Sequence, residues 1–563
     1  MRLFLYLWLV TSIWACLAAA APRTIAKRGS SSFVSSSKDG FSVNGSSLRF
    51  VGTNLYWLPT LDSNDDISNL LKNISDTGIK VIRIWAFNDV ETIPESGTWF
   101  QLVQNGTTTI NDGPNGLQKL DTVVQMAEQQ GLYVIMSLTN NWNPVPNTTT
   151  SSTAIPEVLA SVTSPRNTLS NDYGGMDLYV RQFGLQNHDD FYTNNQILTA
   201  FQNYTKQIVL RYLNSPAVFS WELANDARCN STIPTSPTCT TQTITKWHAE
   251  MAAFIATIDS NHIVSAGTSG FQCPDCPKLY PITPTASPTP SPAPGKKRRS
   301  VAPLTKEQII RQRAESRRQN RAAAKRAGTL KEDGIKIRGR WVSTATREVS
   351  SSIGPTTDGS SGVDSQDILN IPNIGFGSFQ VFPDQNLYAP NDPNLSPVEN
   401  KINSSLTWIQ QSAQSAAAVG KPVVLNGFGL VTQSNLNDFV PFNMTYAPYA
   451  SNTAVMDFTT RSGFAGNKRQ QSTSEFADDS EQEQGYSSFL QMGNSAGLAG
   501  IMQYQWGSTG ITQSSSAVQL DTTNSPAPAA ATVDSPNDGY SIANNPAIQQ
   551  ILQQGVQAMA QDS

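Results

Sequence analysis

Short apolar runs, rich in β-branched and aromatic residues, alternate along the chain with longer segments of helical spacing. Unbroken apolar runs of this kind are typical of strands that are buried on both faces of a parallel sheet. Eight runs have this composition: LRFVGTNLYW, KVIRIWAF, GLYVIMSL, PAVFSWEL, HIVSAG, GFGSFQVF, KPVVLNGF and AGIMQYQWG. Apolar residues at helical spacing predict helices over residues 67–77, 117–130, 187–213, 240–260, 400–419 and 486–495.

Eight strands that are each followed by helical or loop material predict an α/β fold, the (β/α)8 TIM barrel. In such barrels the active residues lie at the carboxyl ends of the strands. We therefore expect the chemistry of this protein where the eight runs end.

Between the fifth and sixth runs, over residues 275–362, the alternation stops and the sequence becomes low in complexity. A Pro/Thr/Ser-rich stretch and a Ser/Gly-rich stretch flank residues 296–347, which hold 17 Lys or Arg against 4 acidic residues. Such compositions cannot bury a core, so we predict a long disordered basic insertion between strands five and six. Residues 29–274 and 363–563 would then form the two parts of the barrel.

Part of the insertion, RRQNRAAAKRAG, resembles the DNA-contacting region of basic leucine zipper proteins. The resemblance stops at Gly328, and no leucine heptads follow that could pair two such helices. We therefore expect no nucleic-acid partner. Electrostatic attraction of the insertion to acidic wall polymers stays open as an alternative.

The amino-terminal sequence predicts export. Residues 1–21 have the charged start, apolar middle and small-residue exit of a secretory signal peptide, and residues 22–28 end in a dibasic pair that suits a propeptide site. No later segment has the roughly 18 unbroken apolar residues of a membrane span, so no membrane partner is expected. Glycosylation sequons support a secreted, extracellular glycoprotein. They begin at Asn44, Asn73, Asn105, Asn147, Asn203, Asn230, Asn394, Asn403 and Asn443.

Four cysteines remain once Cys16 leaves with the signal peptide. An even set in an oxidising compartment predicts two disulfides, for which three pairings are possible. The Cys-Pro-Asp-Cys pattern also fits a redox or zinc motif, but that context is usually cytosolic. The four are Cys229, Cys239, Cys273 and Cys276.

Retaining hydrolysis of a glycosidic bond requires two carboxyl groups about 5 to 5.5 Å apart, one as acid/base and one as nucleophile. Strands four and seven face each other across a barrel mouth and can supply that separation. The motifs at the strand ends are FVGTNLYWL, VIRIWAFND, TNNW, YGGMDLYV, HDDFYTN, WELAN followed by RC, and KPVVL before FG. Together they resemble the secreted endo-β-1,4-mannanases of glycoside hydrolase family 5.

The motifs follow the family's order from Phe50 to Trp506, so the resemblance covers nearly all of the chain outside the basic insertion. It implies a mannan-type substrate and neither cofactor nor metal. In the family, the fourth strand ends in Trp-Glu-Leu-Ala-Asn-Glu-Pro-Arg-Cys, and the second Glu is the acid/base. This chain has Asp226 there. The family's seventh strand ends in Glu-Phe-Gly, whose Glu is the nucleophile, and Gly427 occupies that position.

These two changes differ in weight. Asp226 keeps a carboxyl group but draws it back by about one carbon–carbon bond, and a misplacement of roughly 1 Å costs about 100-fold in rate. Gly427 offers no nucleophile at all. The resemblance therefore implies that hydrolysis is lost or impaired.

Other matched positions imply contacts with sugar. The family's His-x-Tyr-Pro-Asp after strand six appears here as Gln-Val-Phe-Pro-Asp, and its Trp near the end of strand eight appears as Tyr in QYQWG. Arg83 lacks the carboxylate that it meets in the family, and an Arg or Trp at a strand end also suits plain packing. The candidate sugar-binding residues are Arg83, Trp85, Asn88, Asn225, Gln380, Phe382, Tyr504 and Trp506.

Two acidic features are interpreted as structural. Glu222 lies midway along strand four, which favours a buried structural acid over a substitute nucleophile. The run His188-Asp189-Asp190 contains metal-binding residue types, but its match in the family lies at a helix start, which favours capping and loop fixing.

The sequence thus predicts a secreted β-mannanase-like protein that binds mannan-type β-1,4-linked polysaccharide or manno-oligosaccharide in a barrel cleft, as a monomer, with hydrolysis lost or impaired. One alternative is an active endo-β-1,4-mannosidase that uses Asp226 and an unrecognised nucleophile such as Asp384. Another is a non-catalytic wall-associated protein that acts through the basic insertion.

Overall fold

The computed structural model describes residues 32–145, 166–282, 354–450, 475–512, 532–543 and 545–561, and the backbone of residues 334–337 and 340–343. The predicted signal peptide, the predicted propeptide, the Asn147 sequon and most of the predicted basic insertion lie outside these residues.

Eight parallel strands form the central sheet. They are β1 (Phe50–Asn54), β2 (Val81–Trp85), β3 (Tyr133–Ser137), β4 (Val218–Glu222), β5 (Ile263–Ser265), β6 (Gly377–Val381), β7 (Val423–Phe428) and β8 (Gly500–Gln503). Each coincides with one of the eight apolar runs, and almost every residue in them is buried. The apolar pattern of a doubly covered sheet therefore located all eight strands.

The sheet nearly closes into a barrel. Its strand order is β5-β4-β3-β2-β1-β8-β7-β6. The two edge strands approach at a parallel bridge between Ser265 and Phe376, where the Gly375 amide donates to the Val264 carbonyl at 2.8 Å. The predicted (β/α)8 TIM barrel is confirmed.

Helices follow most of the strands. They are α1 (Asn64–Asp76), α2 (Leu117–Gln129), α3 (Met176–Gln182), α4 (Asp190–Thr193), α5 (Asn195–Tyr212), α6 (Thr241–Ala256), α7 (Ser365–Leu369), α8 (Pro397–Val419), α9 (Asp479–Ser495) and α10 (Pro546–Gln561). Among these described helices, none combines the length and apolar character needed to cross a membrane.

The predicted helix over residues 187–213 is two helices, α4 and α5. Asn194 separates them because its backbone is extended and its side chain accepts from the amides of Gln196 and Ile197, which begins a new helix. Helix α8 begins three residues before its prediction because Ser396 and Glu399 form a capping box around Pro397.

A small antiparallel sheet covers the amino-terminal end of the barrel. Its three strands are Ser35–Ser37, Gly40–Val43 and Ser46–Leu48. Phe41 of this sheet packs edge-to-face on Phe219 and Phe376, with ring centroids 5.0 and 5.2 Å apart. Aromatic rings close this end of the barrel, so an open cleft can form only at the carboxyl ends of the strands.

Short strands and disulfides shape the loops at the carboxyl ends. The additional strands are Asp89–Val90, Gln101–Gln104 and Thr107–Ile110 in one sheet, and Ile511–Thr512 with Thr532–Val533 in another. Of the three possible pairings, the structure has Cys229–Cys239 and Cys273–Cys276. The first fixes the loop after β4 and the second fixes the loop after β5.

The chain divides into two compact units, Met1–Tyr280 with Pro355–Ser563, and Pro281–Gly354. The described part of the smaller unit is an antiparallel pair of four-residue strands, Gly334–Ile337 and Arg340–Ser343. No strand was predicted in this segment because its flanks are so rich in Pro, Ser, Lys and Arg.

Candidate active site

A cleft lies at the carboxyl ends of the barrel strands. Strands β2, β4, β6, β7 and β8 each contribute at least one residue at or just beyond their carboxyl end. Eight of the ten predicted site residues line it: Arg83, Trp85, Asn225, Asp226, Gln380, Phe382, Gly427 and Tyr504.

Asp226 follows β4 in a left-handed backbone conformation, with φ of 60°. Asp tolerates this region better than most residues. Both carboxylate oxygens are occupied. Arg228 Nε donates to Oδ1 at 2.9 Å and its terminal nitrogen lies 2.8 Å from Oδ2, which also accepts from Trp142 Nε1 at 3.1 Å. Both oxygens of the Asp226 carboxylate are therefore engaged by neighbouring side chains, although the residue lines the cleft.

Gly427 lies in β7, where a side chain would point at the ring of Phe382. A Cβ built on Gly427 would stand 3.3 Å from Phe382 Cζ, which is tighter than ordinary van der Waals contact. The same ring packs against Tyr504 and Tyr540, with centroids 5.3 Å away in both cases, and against Phe442 at 6.3 Å. A cluster of aromatic rings therefore packs beside Gly427 in the cleft.

Arg83 binds a buried carboxylate of the barrel. Its guanidinium donates to both oxygens of the fully buried Glu222, at 3.0 and 3.2 Å from Nε. Asn426 Nδ2 donates to the same carboxylate, and Arg83 also donates to Asn54 and Asn225. The carboxylate that Arg83 meets in the family is still absent, since position 427 is Gly, but Glu222 of strand β4 supplies another. With its carboxylate saturated in this way, Glu222 is a structural acid.

Two predicted sugar-binding residues lie away from the cleft. Asn88 is buried, donates to the Thr98 carbonyl at 3.1 Å and accepts from Arg166 at 2.7 Å, so its amide fixes the loop after β2. Trp506 is buried in the hydrophobic core, and its backbone amide donates to the Asn54 carbonyl. Neither residue is among those that line the cleft, so their sugar-binding role stays a prediction.

Asp384 and His188, which were considered as an alternative nucleophile and a metal ligand, also make structural contacts. Asp384 accepts from Lys401 Nζ at 2.7 Å and from the Val431 amide at 2.8 Å, and its side chain is almost fully buried outside the cleft. His188 binds Asp177 at 2.7 Å and Asn141 at 2.9 Å. These contacts fix loops, so neither Asp384 as a nucleophile nor His188 as a metal ligand fits its surroundings.

Several residues of the cleft were missed by the sequence analysis. They come from loops with no periodic pattern, and the cleft assembles them from distant parts of the chain. Trp142 alone had a usable signal, since it ends the TNNW motif immediately after β3. The missed residues are Trp142, Ser170, Asn171, Gln385, Val440, Phe442, Asp538 and Tyr540.

Asp538 is the second carboxyl group on the cleft wall. Its Oδ2 accepts from the Tyr504 hydroxyl at 2.7 Å and from Ser170 Oγ at 2.9 Å. Burial raises the pKa of Asp538 to about 6, against an ordinary 3.8, although the two hydrogen bonds lower it. Burial, followed by the charge of Asp538, raises the pKa of Tyr504 well above its usual range.

The sequence resembles known mannanases. Residues 31–278 match the family model described as GH family 5 beta-mannosidase-like. Mannan endo-1,4-beta-mannosidase F of Aspergillus fumigatus is 39% identical over 245 residues, which are 43% of this chain and 48% of that protein. Mannan endo-1,4-beta-mannosidase A of Aspergillus aculeatus is 37% identical over 270 residues, which are 47% of this chain and 62% of that protein. The chain thus matches about half the length of these relatives.

Solved structures agree on the fold. The endo-1,4-beta-mannanase from Rhizomucor miehei superposes with a TM-score of 0.55 at 22% identity, covering 94% of this chain and 100% of that one. The endo-beta-1,4-mannanase from Thermotoga petrophila gives 0.54 at 20% identity, covering 92% and 78%. At these identities the likeness shows the barrel and nothing finer. The resemblance to glycoside hydrolase family 5 mannanases, inferred from the strand-end motifs, is confirmed.

Proposed function

We propose that this protein is a secreted, monomeric glycoprotein that binds mannan-type β-1,4-linked polysaccharide in the cleft of a mannanase barrel and no longer hydrolyses it. One observation carries the proposal. At the position of the family's nucleophile the chain has Gly427, and the ring of Phe382 lies where a side chain would extend. A covalent glycosyl intermediate requires a carboxylate at that place.

The acid/base position supports the same conclusion. A general acid must reach the leaving oxygen with a proton, and geometry is the first requirement. Asp226 is one methylene shorter than Glu, and Arg228 and Trp142 engage both of its oxygens. The alternative of an active enzyme needs a second carboxylate near Gly427. The atoms nearest to a Cβ at that position belong to the Phe382 ring and to Tyr504 Cβ, and Asp538, the other carboxyl group on the cleft wall, accepts from Tyr504 and Ser170.

The walls of the cleft suit a sugar. Carbohydrate sites combine aromatic faces with a few placed polar groups, and this cleft offers Trp85, Trp142, Phe442 and Tyr540 beside carboxyl and amide groups. The matched relatives bear the name mannan endo-1,4-beta-mannosidase, so mannan is the first substrate class to test.

Export and glycosylation have structural support as well. A glycosylated asparagine must lie at the surface. All eight acceptor asparagines within the described residues are exposed, whereas many other asparagines of the barrel are buried. The eight are Asn44, Asn73, Asn105, Asn203, Asn230, Asn394, Asn403 and Asn443.

Isothermal titration calorimetry with mannohexaose tests the binding function. We expect saturable heat from the native protein, and weaker binding for Phe442→Ala, which removes an aromatic face from the cleft wall. Phe33→Ala is the matched control, because Phe33 packs on His262 away from the cleft. Cellohexaose reports whether the pocket prefers mannose. Absence of heat at millimolar mannohexaose would contradict the proposal.

A further inference from the structure

Asp538 has one oxygen that the protein leaves unused. Its Oδ2 is saturated by Tyr504 and Ser170, but its Oδ1 has no hydrogen-bond partner among the described residues. The side chain is only 5% exposed. A buried acceptor without a partner is costly, so native proteins retain few of them and each one requires an explanation.

Three other polar residues of the cleft wall are already engaged by the protein. Asn225 Oδ1 accepts from Arg83 and Gln380, and Asn225 Nδ2 donates to Asn140. Gln385 donates to the Tyr540 hydroxyl and accepts from the Phe442 amide. Both oxygens of Asp226 are taken by donors. Among the carboxylate oxygens that the described residues bring to the cleft, Asp538 Oδ1 is the one without a partner.

The surroundings of Asp538 restrict the ligand to a neutral one. The Tyr504 hydroxyl donates to Asp538 Oδ2, and the Tyr504 ring packs on that of Tyr540 with centroids 5.7 Å apart. Among the residues that the structure describes on this wall, the other carboxylate is Asp226, which is paired with Arg228, so these residues do not offer the several free oxygens that a cation requires. A hydroxyl group on a ring with an apolar face suits one free acceptor between two aromatic rings.

We propose that Asp538 is a sugar-recognition residue, whose Oδ1 accepts a hydrogen bond from one hydroxyl of a pyranose that packs against Tyr504 and Tyr540. Ser170 and Tyr504 hold the carboxylate in place from two different loops. The proposal rests on the proposed function, since it names the contact by which the same cleft selects its ligand. Asn225, predicted as a hydroxyl ligand, accepts from Arg83 and Gln380 through its Oδ1.

The test is a cycle in which one partner of the hydrogen bond is removed from the protein and the other from the ligand. Calorimetry measures the binding of methyl β-mannobioside and its monodeoxy derivatives to the native protein and to Asp538→Asn. The variant keeps the shape of the side chain and an oxygen acceptor for Ser170 and Tyr504. A hydrogen bond to a charged group corresponds to roughly tenfold to a hundredfold in affinity, so we expect a loss of that size for the parent ligand.

The decisive result concerns one hydroxyl. We expect that removal of the one sugar hydroxyl that binds Asp538 Oδ1 weakens binding to the native protein as much as Asp538→Asn weakens binding of the parent ligand. The same deoxy derivative binds Asp538→Asn as well as the parent ligand does. Asp534→Asn is the control, because Asp534 is exposed on the same segment and outside the cleft. Should Asp538→Asn fold poorly in circular dichroism, Asp538→Ser takes its place in the cycle.

The outcomes separate the two proposals. The parent ligand could bind the native protein while each deoxy derivative loses the same factor in affinity with the native protein as with Asp538→Asn. Asp538 would then bind no hydroxyl, and this inference would be contradicted while mannan binding would stand. If neither the parent ligand nor mannohexaose binds the native protein, the proposed function fails and the subsite with it.

Discussion

Strands β1 to β4 supply the floor of the cleft with a charged network, whereas β6 to β8 supply a wall of aromatic rings. The first region holds Arg83, Glu222 and Asn225 in mutual hydrogen bonds below the cleft. The second holds Phe382 and Tyr504, packed over Gly427. The family model matches residues 31–278, which contain β1 to β5, and the matched relatives align over a similar length.

The difference between the regions follows from what each position must do. Arg83 and Glu222 are needed to satisfy each other whether or not a reaction takes place, since a buried charge without its partner destabilises the fold. The fold does not require a carboxylate at position 427 to neutralise a buried charge. Here Phe382 and Tyr504 pack beside Gly427. The charged network is therefore required by the fold itself, whereas position 427 carries no charge that the fold must satisfy.

The largest expected effect concerns the charged floor. Arg83→Ala leaves Glu222 buried without its main partner, and we expect a loss of about 3 to 5 kcal/mol in the free energy of unfolding. Urea denaturation measures it. Lys72→Ala is the matched control, because the Lys72–Asp76 pair is more than half exposed and contributes little. A loss for Arg83→Ala no larger than that of the control would show that the network is not structural.

The aromatic wall should be the next most sensitive part. Phe382→Ala removes a ring that packs on Phe442, Tyr504 and Tyr540, and we expect a loss of about 3 kcal/mol, at the lower end for a buried Phe because the side chain faces the cleft. Differential scanning calorimetry provides the measurement. An unchanged melting temperature would indicate that the rings do not support the wall.

A pH dependence is expected from Asp538. Its pKa is higher in the folded protein, at about 6, than the ordinary 3.8, so the folded state binds the proton more tightly than the unfolded chain. The free energy of unfolding therefore falls as the pH rises from about 4 to 6 and the contribution is constant above that. Each pKa unit corresponds to about 1.4 kcal/mol, which gives a change on the order of 3 kcal/mol.

Subtraction isolates this effect. The unfolding free energy of Asp538→Asn, compared with that of the native protein at each pH between 4 and 8, removes the contributions of other buried acids such as Asp89 and Asp172, whose pKa values burial raises to about 7. A difference that stays flat across pH 4 to 6 would mean that Asp538 titrates at its ordinary pKa.

The smallest effect is expected at the nucleophile position itself. Gly427→Ala places a Cβ 3.3 Å from Phe382 Cζ, and the ring must shift by a few tenths of an ångström. We expect a loss of about 1 kcal/mol in urea denaturation. Restored stability in the double variant Gly427→Ala, Phe382→Leu would confirm that the two positions compete for one space, while additive losses would contradict it.

The fold was predictable because its signal is local. An unbroken apolar run such as VIRIW is buried on both faces wherever it lies in the sheet, so the run alone locates β2. The helix breaks were predictable only in part, since Asn194 begins α5 through a cap within an otherwise continuous pattern. The antiparallel strand pair of residues 334–337 and 340–343 was not predicted because the sequence around it is rich in Pro, Ser, Lys and Arg.

The site was predictable where a residue's role depends on its own strand and not where it depends on distant loops. Asp226 and Gly427 were assigned through the family resemblance at the ends of β4 and β7, and both line the cleft. Asn88 was assigned to sugar because it matches a family position and its amide suits a hydroxyl, whereas in the structure this amide accepts from Arg166, 78 residues away. Asp538 reaches the cleft only because the chain beyond β8 returns to Ser170 and Tyr504.

The most direct test of the central claim is a search for cleavage products. The native protein is incubated in excess with mannohexaose at pH 5 to 7, and the oligosaccharides are analysed by mass spectrometry beside a calorimetric measurement of their binding. We predict that mannohexaose binds and is recovered intact. Shorter manno-oligosaccharides that accumulate with time, and that disappear with Asp226→Ala, would contradict the claim that the reacting pair is lost.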